Sequence, residues 1–322
     1  MARPLRIEYE GAFYHVTARG NEQRRIYHVR SDYEKFKDYL QEAQQKFGYL
    51  LHCYVLMSNH YHLIIETPMA NLSRVMHYIN GSYTVYLNIK RKRRGHLFQG
   101  RYRAILVDRD RYLLELSRYV HLNPVRAGVV AKPEDYPHSS YRSYAFGGND
   151  NIVHCDLVLG MVSKDQKKAR RMYRNFVEKA LKQEPDNPLG NIYGGAILGG
   201  QTFIRETLSK LRDGILQRRE VSHRRVLQAS YGFDEIIDAV CSDFEVSRDD
   251  LVTGGGESRD IAIYLMKRLT GMTNSQIGQL LGGLSYSGVA KVHQRFSTKL
   301  ARDEPLRKRI KAIKTNLSNV KG

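Results

Sequence analysis

The chain has 322 residues, of which 42% are hydrophobic, and its 52 lysines and arginines outweigh 33 acidic residues to give a formal net charge of +19. This length and composition favour two or three folded domains and exclude a disordered chain. The positive charge predicts a polyanionic partner, above all nucleic acid, whereas the lack of tryptophan and of a basic amphipathic segment argues against a membrane surface.

The sequence carries no pattern for export or membrane insertion. No stretch approaches the roughly 18 consecutive apolar residues of a membrane span, and the start of the chain lacks the apolar core of a secretory signal. Cys53, Cys155 and Cys241 are far apart and match no metal motif, which is typical of buried thiols in a reducing cytosol. We therefore expect a cytoplasmic protein.

Strand and helix patterns alternate through the first 145 residues. Runs of β-branched and aromatic residues predict strands over 13–17, 54–57, 60–66 and 103–107. Apolar periodicity predicts helices over 32–47 and 71–90, and a further helix that starts at Asp108 or Asp110 and carries Tyr119. The order βαββαβ followed by a helix predicts an α+β ferredoxin-like fold, in which an antiparallel sheet carries helices on one face.

The pattern after residue 145 is helical. Residues 146–230 predict a connector with a basic helix over 163–183, and the remainder predicts an all-α domain. In that domain Thr273 and Ser285 are suited to cap a short helix and a longer polar-faced helix, which together predict a helix-turn-helix. The predicted domains are 1–145, 146–230 and 231–322.

Two histidines flank a tyrosine on the third predicted strand. Because side chains alternate along a strand, His60 and His62 point to one face, whereas Tyr61 points to the other. Two imidazoles at this spacing are suited to share one divalent cation. On the last predicted helix of this domain, Tyr119 and Asn123 are four residues apart and share a face near the C-terminal end.

A metal centre and a nucleophile would meet if that face packs beside the histidines. The Asn123 amide oxygen could complete the ligand set and leave open positions for a phosphate oxygen. A phenol with a pKa near 10 needs such help before it attacks phosphorus. The structural alternatives stay open, because an isolated histidine pair is more often a hydrogen-bonded pair and most of the 22 tyrosines must pack or lie on the surface.

Four ordered blocks of the first domain resemble a known family. Residues 57–63 (MSNHYHL) resemble the MPNHxHL signature of single-tyrosine HUH transposases, with Ser58 where the family often has proline. Residues 119–128 (YVHLNPVRAG) resemble the YxxxNP block of their REP-associated branch, the relatives tied to repetitive extragenic palindromes. Residues 13–21 and 95–102 are similar to two further blocks of this family.

The resemblance implies a single-strand DNA endonuclease and strand transferase that depends on Mg²⁺ or Mn²⁺ and acts at hairpin or palindromic DNA as a monomer or homodimer. It implies that His60 and His62 bind the metal, that Asn123 is a third ligand, and that Tyr119 forms a 5′-phosphotyrosine intermediate. One alternative is a catalytically inactive DNA-binding regulator with the same fold. Another is a zinc-stabilised structural or RNA-binding protein that uses His15 together with the pair.

Basic residues occur where a DNA strand would run past these motifs. Such residues position phosphates without reading sequence, although a run of positive charge is as often a solvated surface. The candidate contacts in the first domain are Arg19, Asn21, Arg24, Arg25, Lys90, Arg91, Lys92, Arg93, Arg94, Arg101 and Arg103.

The C-terminal domain has its own resemblance. Residues 258–265 and 277–283 resemble the DNA-binding domain of the replication initiator DnaA, over about residues 232–315. Residues 285–289 (SYSGV) differ from the DHTTV block of the initiator, so the resemblance implies its fold and duplex binding rather than its sequence preference. The alternative is a helical bundle used only for packing. The candidate duplex contacts are Ser285, Tyr286, Ser287, Lys291 and Arg295.

Overall fold

The computed structural model describes residues 7–148, 150–181, 187–211, 231–270 and 272–319. These residues form two compact units, and the boundary lies between Ile204 and Arg205. Residues 149, 182–186 and 212–230 of the predicted connector lie outside the described residues. Residues 1–6, where the sequence predicts no secretory signal, lie outside them as well. Among the helices described, none combines the length and the apolar character that a membrane crossing requires.

The first unit is an α+β unit, as the sequence predicts. Its strands are β1 (Ala12–Arg19), β2 (Leu50–Met57), β3 (His60–Thr67), β4 (Arg103–Val107) and β5 (Ile197–Leu198). Its helices include α1 (Arg30–Phe47), α2 (Leu72–Lys90), α3 (Arg109–His121), α4 (Asn123–Arg126), α5 (Tyr141–Phe146), α6 (Asp156–Gly160) and α7 (Gln166–Lys179), and α8 (Gln201–Leu211) runs across the boundary between the units.

The sheet has the strand order β2-β3-β1-β4-β5 within the described residues. Met57 pairs with His60, so Ser58 and Asn59 form a two-residue turn between the strands predicted over 54–57 and 60–66. β1 is central and pairs antiparallel with β3 and β4, which gives the ferredoxin-like arrangement. The fifth strand is a difference from the prediction, because β5 lies in the segment predicted as a helical connector and pairs parallel with β4.

Helices cover both faces of the sheet, so the prediction of helices on one face is wrong. On one face Tyr61 packs against Phe36 of α1 at 5.1 Å between ring centroids and donates a hydrogen bond to Asn80 of α2. On the other face α3 buries Leu116 and Val120 in a core that includes strand β2. The second layer arises because α5, α6 and α7 extend the apolar contact surface of α3, which weak sequence periodicity did not indicate.

A buried polar network fixes the end of α3. The imidazole of His121 is 2.8 Å from the Tyr173 hydroxyl through Nδ1, and its Nε2 is 2.8 Å from Ser140 Oγ and 3.1 Å from Cys53 Sγ. All four side chains are buried, and burial lowers the pKa of His121 to about 3. Because these contacts join α3 to β2, to the residue that precedes α5 and to α7, they hold the last turn of α3 against the sheet.

The second unit is helical throughout its described residues. Its helices are α9 (Phe233–Phe244), α10 (Arg248–Thr253), α11 (Glu257–Leu269), α12 (Asn274–Leu280), α13 (Tyr286–Arg302) and α14 (Glu304–Asn319). The prediction that Thr273 and Ser285 cap helices is confirmed, since their hydroxyls accept hydrogen bonds from the backbone N–H groups of Gln276 and Gly288. Helices α12 and α13 form the predicted helix-turn-helix.

Candidate active site

His60, His62 and Tyr119 of the same chain lie together on one face of the sheet. His60 and His62 share that face of β3, and their ring centroids are 5.1 Å apart. Tyr119 lies on α3, and its ring centroid is 6.0 Å from that of His62. The two motifs are brought together because α3 packs on the sheet face to which the histidines point.

A third histidine, His15 of β1, lies beneath this pair. Its Nε2 is 2.9 Å from Nδ1 of His62, and the two rings are nearly parallel, with an interplanar angle of 14°. The His15 ring also meets Tyr119 edge-on, at 6.2 Å between centroids. His15 is 1% exposed, so it forms the floor of the site rather than its surface.

The ring of His60 is oriented by its neighbour in the turn. His60 Nδ1 is 2.7 Å from the amide oxygen of Asn59, which can only accept, so Nδ1 carries the proton and Nε2 keeps its lone pair. The Asn59 amide is itself fixed, because its nitrogen donates to the backbone oxygen of Gln23 at 3.1 Å. A histidine with one nitrogen oriented in this way presents the other as a metal ligand.

All three imidazoles are neutral at physiological pH. Burial, with nearby Arg19, lowers the pKa of His60 to about 4. Burial, with Arg103, lowers the pKa of His15 to about 3, and burial together with the neighbouring histidines and Arg19 lowers the pKa of His62 well below its usual value. Neutral imidazole is the protonation state that binds a metal ion.

Tyr119 is half-buried at the rim of this site. Burial raises the pKa of its phenol, and the guanidinium of Arg126, which lies 4.8 Å from the ring centroid, acts in the opposite direction. Within the described part of the chain, no hydrogen-bond partner of the Tyr119 hydroxyl is found. The phenol is therefore accessible for chemistry but needs assistance to lose its proton.

Asn123, the third member of the predicted ligand set, contacts the backbone of α3. Its amide nitrogen donates to the backbone oxygen of Tyr119 at 2.9 Å, a contact that satisfies a carbonyl at the end of α3. The nitrogen is thus occupied, and only the amide oxygen is left for a ligand. Asn123 keeps both assignments, a cap at the helix end and a third ligand.

The donor set suits a weakly held divalent cation. Two neutral imidazoles, and the amide oxygen of Asn123 if it reaches them, would be nitrogen and oxygen ligands of the kind that Mn²⁺ accepts. Among the residues described, no group of three histidine, cysteine, aspartate or glutamate side chains could hold a metal ion. Of the three histidines, His15 directs its Nε2 at Nδ1 of His62.

The charged side chains that act on these rings are arginines. Arg19 pairs in register with His60, and Arg103 pairs with Thr17 on the other side of β1. Arg126 lies over Tyr119. A site that combines neutral imidazoles with surrounding guanidinium groups attracts phosphate.

The other predicted contacts of the first unit lie on its surface, and three of them have acidic partners. Lys90 Nζ is 2.6 Å from the buried carboxylate of Asp32, Arg91 is 3.5 Å from it, and Arg24 is 2.5 Å from Glu22. Asn21, Arg25, Lys92, Arg94 and Arg101 are exposed, and Arg93 is half-buried. Lys90 and Arg91 therefore have a structural role that the sequence did not indicate.

We expect Asp32→Asn to destabilise the first unit by about 2–4 kcal/mol, because Lys90 and the backbone N–H groups of His28 and Val29 lose a charged acceptor inside the protein. Burial raises the pKa of the Asp32 carboxyl, but the hydrogen bonds from Lys90, His28 and Val29 outweigh burial and hold that pKa below its ordinary value.

Because the folded pKa of Asp32 is lowered, its contribution should be complete above about pH 4 and disappear as the pH falls through the folded pKa. Urea unfolding of wild type and variant at pH 7 and at pH 3 measures both effects. The control is Asp38→Asn on the same helix, whose carboxylate is 56% exposed and should change stability by less than about 0.5 kcal/mol. Equal losses in the two variants would contradict this assignment.

In the second unit, the predicted contacts cluster at the start of α13. Tyr286 is 64% exposed, and Ser285, Ser287 and Lys291 are also exposed. Arg295 is exposed as well, but it is 2.7 Å from Asp260, so it is already paired within the unit. The exposed first turn of α13 matches the position of a recognition helix that enters a DNA groove.

Sequence reasoning missed two residues of the site. Arg126 lies on α4 and Tyr119 on α3, so the periodicity of a single helix gave no signal for their contact. His15 was considered only as a zinc ligand. Its true neighbour depends on strand register, in which Thr17 pairs with His62 and places His15 diagonally from that ring.

Two segments of the chain match known families. Residues 8–123 match the family of IS200-like transposases, and residues 233–295 match the bacterial DnaA helix-turn-helix. The first unit is thus similar to IS200-like transposases over residues 8–123 and the second to the DnaA helix-turn-helix over residues 233–295, which confirms both resemblances drawn from the motifs. The α+β fold followed by an all-α domain is also confirmed.

Curated relatives and a solved structure are similar over parts of the chain. The chain is 29% identical over 126 residues to the chromosomal replication initiator protein DnaA of Methylacidiphilum infernorum (isolate V4), across 37% of this chain and 26% of that protein. It is 33% identical over 87 residues to the DnaA of Thermomicrobium roseum (strain ATCC 27502 / DSM 5159 / P-2), across 26% and 19%. The chain therefore spans about a quarter or less of these relatives.

The structure of a REP-associated tyrosine transposase bound to a REP hairpin is also similar, with a TM-score of 0.41 and 18% identity over 49% of this chain and 93% of that chain.

Proposed function

We propose, from the premise of an IS200-like transposase domain joined to a helix-turn-helix, that the protein is a metal-dependent single-strand DNA endonuclease and strand transferase. It acts at hairpin or palindromic DNA through a 5′-phosphotyrosine intermediate. The observation that carries the proposal is the juxtaposition of Tyr119 with His62 and His60, at 6.0 Å and 5.1 Å between successive ring centroids.

Tyr119 is the proposed nucleophile. Its phenol oxygen attacks the scissile phosphorus, its proton passes to water, and the bond from phosphorus to the 3′ oxygen breaks. The departing 3′ oxygen takes a proton from water, and the 5′ phosphate stays on Tyr119. A strand with a free 3′ hydroxyl can attack this phosphotyrosine in the reverse sense, so the energy of the broken bond is kept for rejoining.

His60, His62 and Asn123 would hold a Mg²⁺ or Mn²⁺ ion, with Nε2 of each imidazole and the amide oxygen as ligand atoms. When bound, the ion supplies charge neutralisation at the phosphate and polarises it for attack. The residues of the chain supply orientation: Asn59 fixes the ring of His60, and α3 presents Tyr119 beside the pair.

Arginines position the strand at the reacting phosphate. Arg19, Arg103 and Arg126 lie near the rings of the site, and their fixed charges attract phosphate. The strand would continue over the remaining exposed contacts, which supply affinity that depends on salt but no sequence information. These further contacts are Asn21, Arg24, Arg25, Lys92, Arg93, Arg94 and Arg101, with Lys90 and Arg91 at the edge.

The test is covalent capture of DNA. The protein is incubated with Mn²⁺ and a library of single-stranded hairpins with randomised flanks, and the products are separated under denaturing conditions. A 3′ label should remain on the protein and a 5′ label should be released, because the 5′ phosphate of the downstream fragment is the atom group joined to tyrosine. Absence of any adduct would favour the inactive DNA-binding regulator.

The helix-turn-helix is proposed to bind duplex DNA near the cleavage site. Ser285, Tyr286 and Ser287 stand at the start of α13, where side chains of a recognition helix reach base edges. Lys291 lies further along that helix and would contact phosphate. Arg295 is already paired with Asp260, so in a contact with DNA its guanidinium would bind the phosphate and this carboxylate together.

We expect Lys291→Ala to weaken duplex binding severalfold at all sequences and to reduce the salt dependence, the slope of log K against log salt, by about one. Fluorescence anisotropy with a random duplex at several salt concentrations measures both quantities. The control is Lys308→Ala on α14, whose exposed ammonium is 3.2 Å from Glu304. An unchanged slope for Lys291→Ala would remove this residue from the interface.

A further inference from the structure

We infer that His15 is a positioning residue that determines which ring nitrogen of His62 carries the proton. His15 Nε2 accepts the Nδ1 proton of His62, so Nε2 of His62 keeps the lone pair that a cation needs. The inference rests on the proposed function, because it concerns the ion that His60 and His62 would hold.

The geometry restricts what His62 can do with its two nitrogens. Its Nδ1 is 2.9 Å from His15 Nε2, and the rings are close to parallel. A neutral imidazole has one donor and one acceptor nitrogen. The direction of this hydrogen bond therefore decides whether Nε2 of His62 carries a proton or a free lone pair. If His62 donates through Nδ1, its Nε2 is a ligand; if His15 donates instead, Nε2 carries a proton and cannot bind a metal.

Neither nitrogen of the His15 ring is available to a substrate. Its Nε2 is committed to His62, and its Nδ1 is buried without a hydrogen-bond partner in the described part of the chain. An unpartnered polar atom in a 1% exposed side chain is costly, and an apolar ring of similar size would avoid that cost. The imidazole therefore serves through the one bond that it makes, to His62.

The same ring also supports the nucleophile. The edge of His15 meets the Tyr119 ring at 6.2 Å between centroids, while His62 lies at 6.0 Å from Tyr119. A single buried ring thus contacts both a proposed ligand and the proposed nucleophile. Outer-shell partners of this kind orient ligand histidines, and their loss typically weakens metal binding by about 10–100-fold.

The test compares two substitutions by the dissociation constant of Mn²⁺, followed by electron paramagnetic resonance without DNA. His15→Phe keeps a planar ring but removes the acceptor, and we expect at least about a tenfold weaker Mn²⁺ affinity. His15→Gln places an amide oxygen near the former Nε2, and we expect an affinity within about threefold of wild type. A purely structural role would not distinguish the two variants in this way.

The matched control is His52→Phe. His52 is another buried histidine of the sheet, 2% exposed and 2.8 Å from Glu66 through Nε2, and it makes no contact with the site. It should lose stability without loss of Mn²⁺ affinity. Equal Mn²⁺ affinities for wild type and His15→Phe would overturn the inference while leaving the proposed function intact.

A second measurement covers the case in which His15→Phe does not fold. In Mg²⁺-loaded wild type, long-range ¹⁵N–¹H spectra should show His62 protonated at Nδ1 and not at Nε2. The opposite protonation pattern would overturn the inference. If wild type and the double variant His60→Ala/His62→Ala bind Mn²⁺ equally, the metal centre fails and the inference fails with it.

Discussion

Replacing Tyr119 by phenylalanine is expected to reduce the covalent DNA adduct to background, a loss of roughly 10⁴-fold or more, as is typical when a nucleophile is removed. The fold should be unaffected, because the hydroxyl has no hydrogen-bond partner within the described residues and phenylalanine preserves the ring contacts with His62 and Arg126. The measurement is the yield of protein that retains a 3′ label after denaturation.

Tyr112→Phe is a closely matched control for this change. Tyr112 lies seven residues earlier on the same helix, is half-buried, and has Arg111 5.7 Å from its ring centroid, as Tyr119 has Arg126. Its adduct yield should equal that of wild type. If Tyr119→Phe still forms the adduct, another residue is the nucleophile and the proposed mechanism is wrong.

The double change His60→Ala/His62→Ala should abolish the dependence of cleavage on Mn²⁺ and lower the adduct yield by roughly 10³-fold, since no ligand pair remains to place the ion at the phosphate. Binding of the hairpin should persist within about tenfold, because the arginines around the site are retained. Adduct yield across a Mn²⁺ titration and hairpin affinity by anisotropy separate the two effects.

His77→Ala is the appropriate control, because His77 is an exposed histidine on α2, the helix that covers the opposite face of the sheet. Its adduct yield and Mn²⁺ dependence should be unchanged. Parallel loss of DNA binding and adduct in the double variant would indicate a structural role for the histidine pair, and retention of Mn²⁺-dependent cleavage would exclude the pair as ligands.

Local sequence patterns were sufficient for most of the elements. Helix α2 and strand β4 lie within one residue of the predicted bounds, and Gly48, with φ of 65°, ends α1 where the sequence predicts. Strand β5 was missed because a two-residue strand has too short a run for alternation to be visible. Its pairing with β4 depends on a chain return from almost a hundred residues away.

The surface charges can be read from the sequence, but their partners depend on the tertiary structure. The run from Lys90 to Arg94 was predicted as one basic patch, but α1 places the buried carboxylate of Asp32 beside its first two members. In the second unit, the placement of Asp260 on α11 similarly pairs Arg295. A count of charges along the chain contains no information about such partners, because they come from other helices.

Residue composition and apolar periodicity determined the order of strands and helices, the shared face of His60 and His62, the helix that carries Tyr119, and the basic character of the molecule. Only the tertiary structure decided that α3 lies on the histidine face, that His15 touches both His62 and Tyr119, and which cations are already paired. The physical reason is that alternation and helical repeat are properties of neighbouring residues, whereas these contacts arise from strand register and helix packing between distant segments.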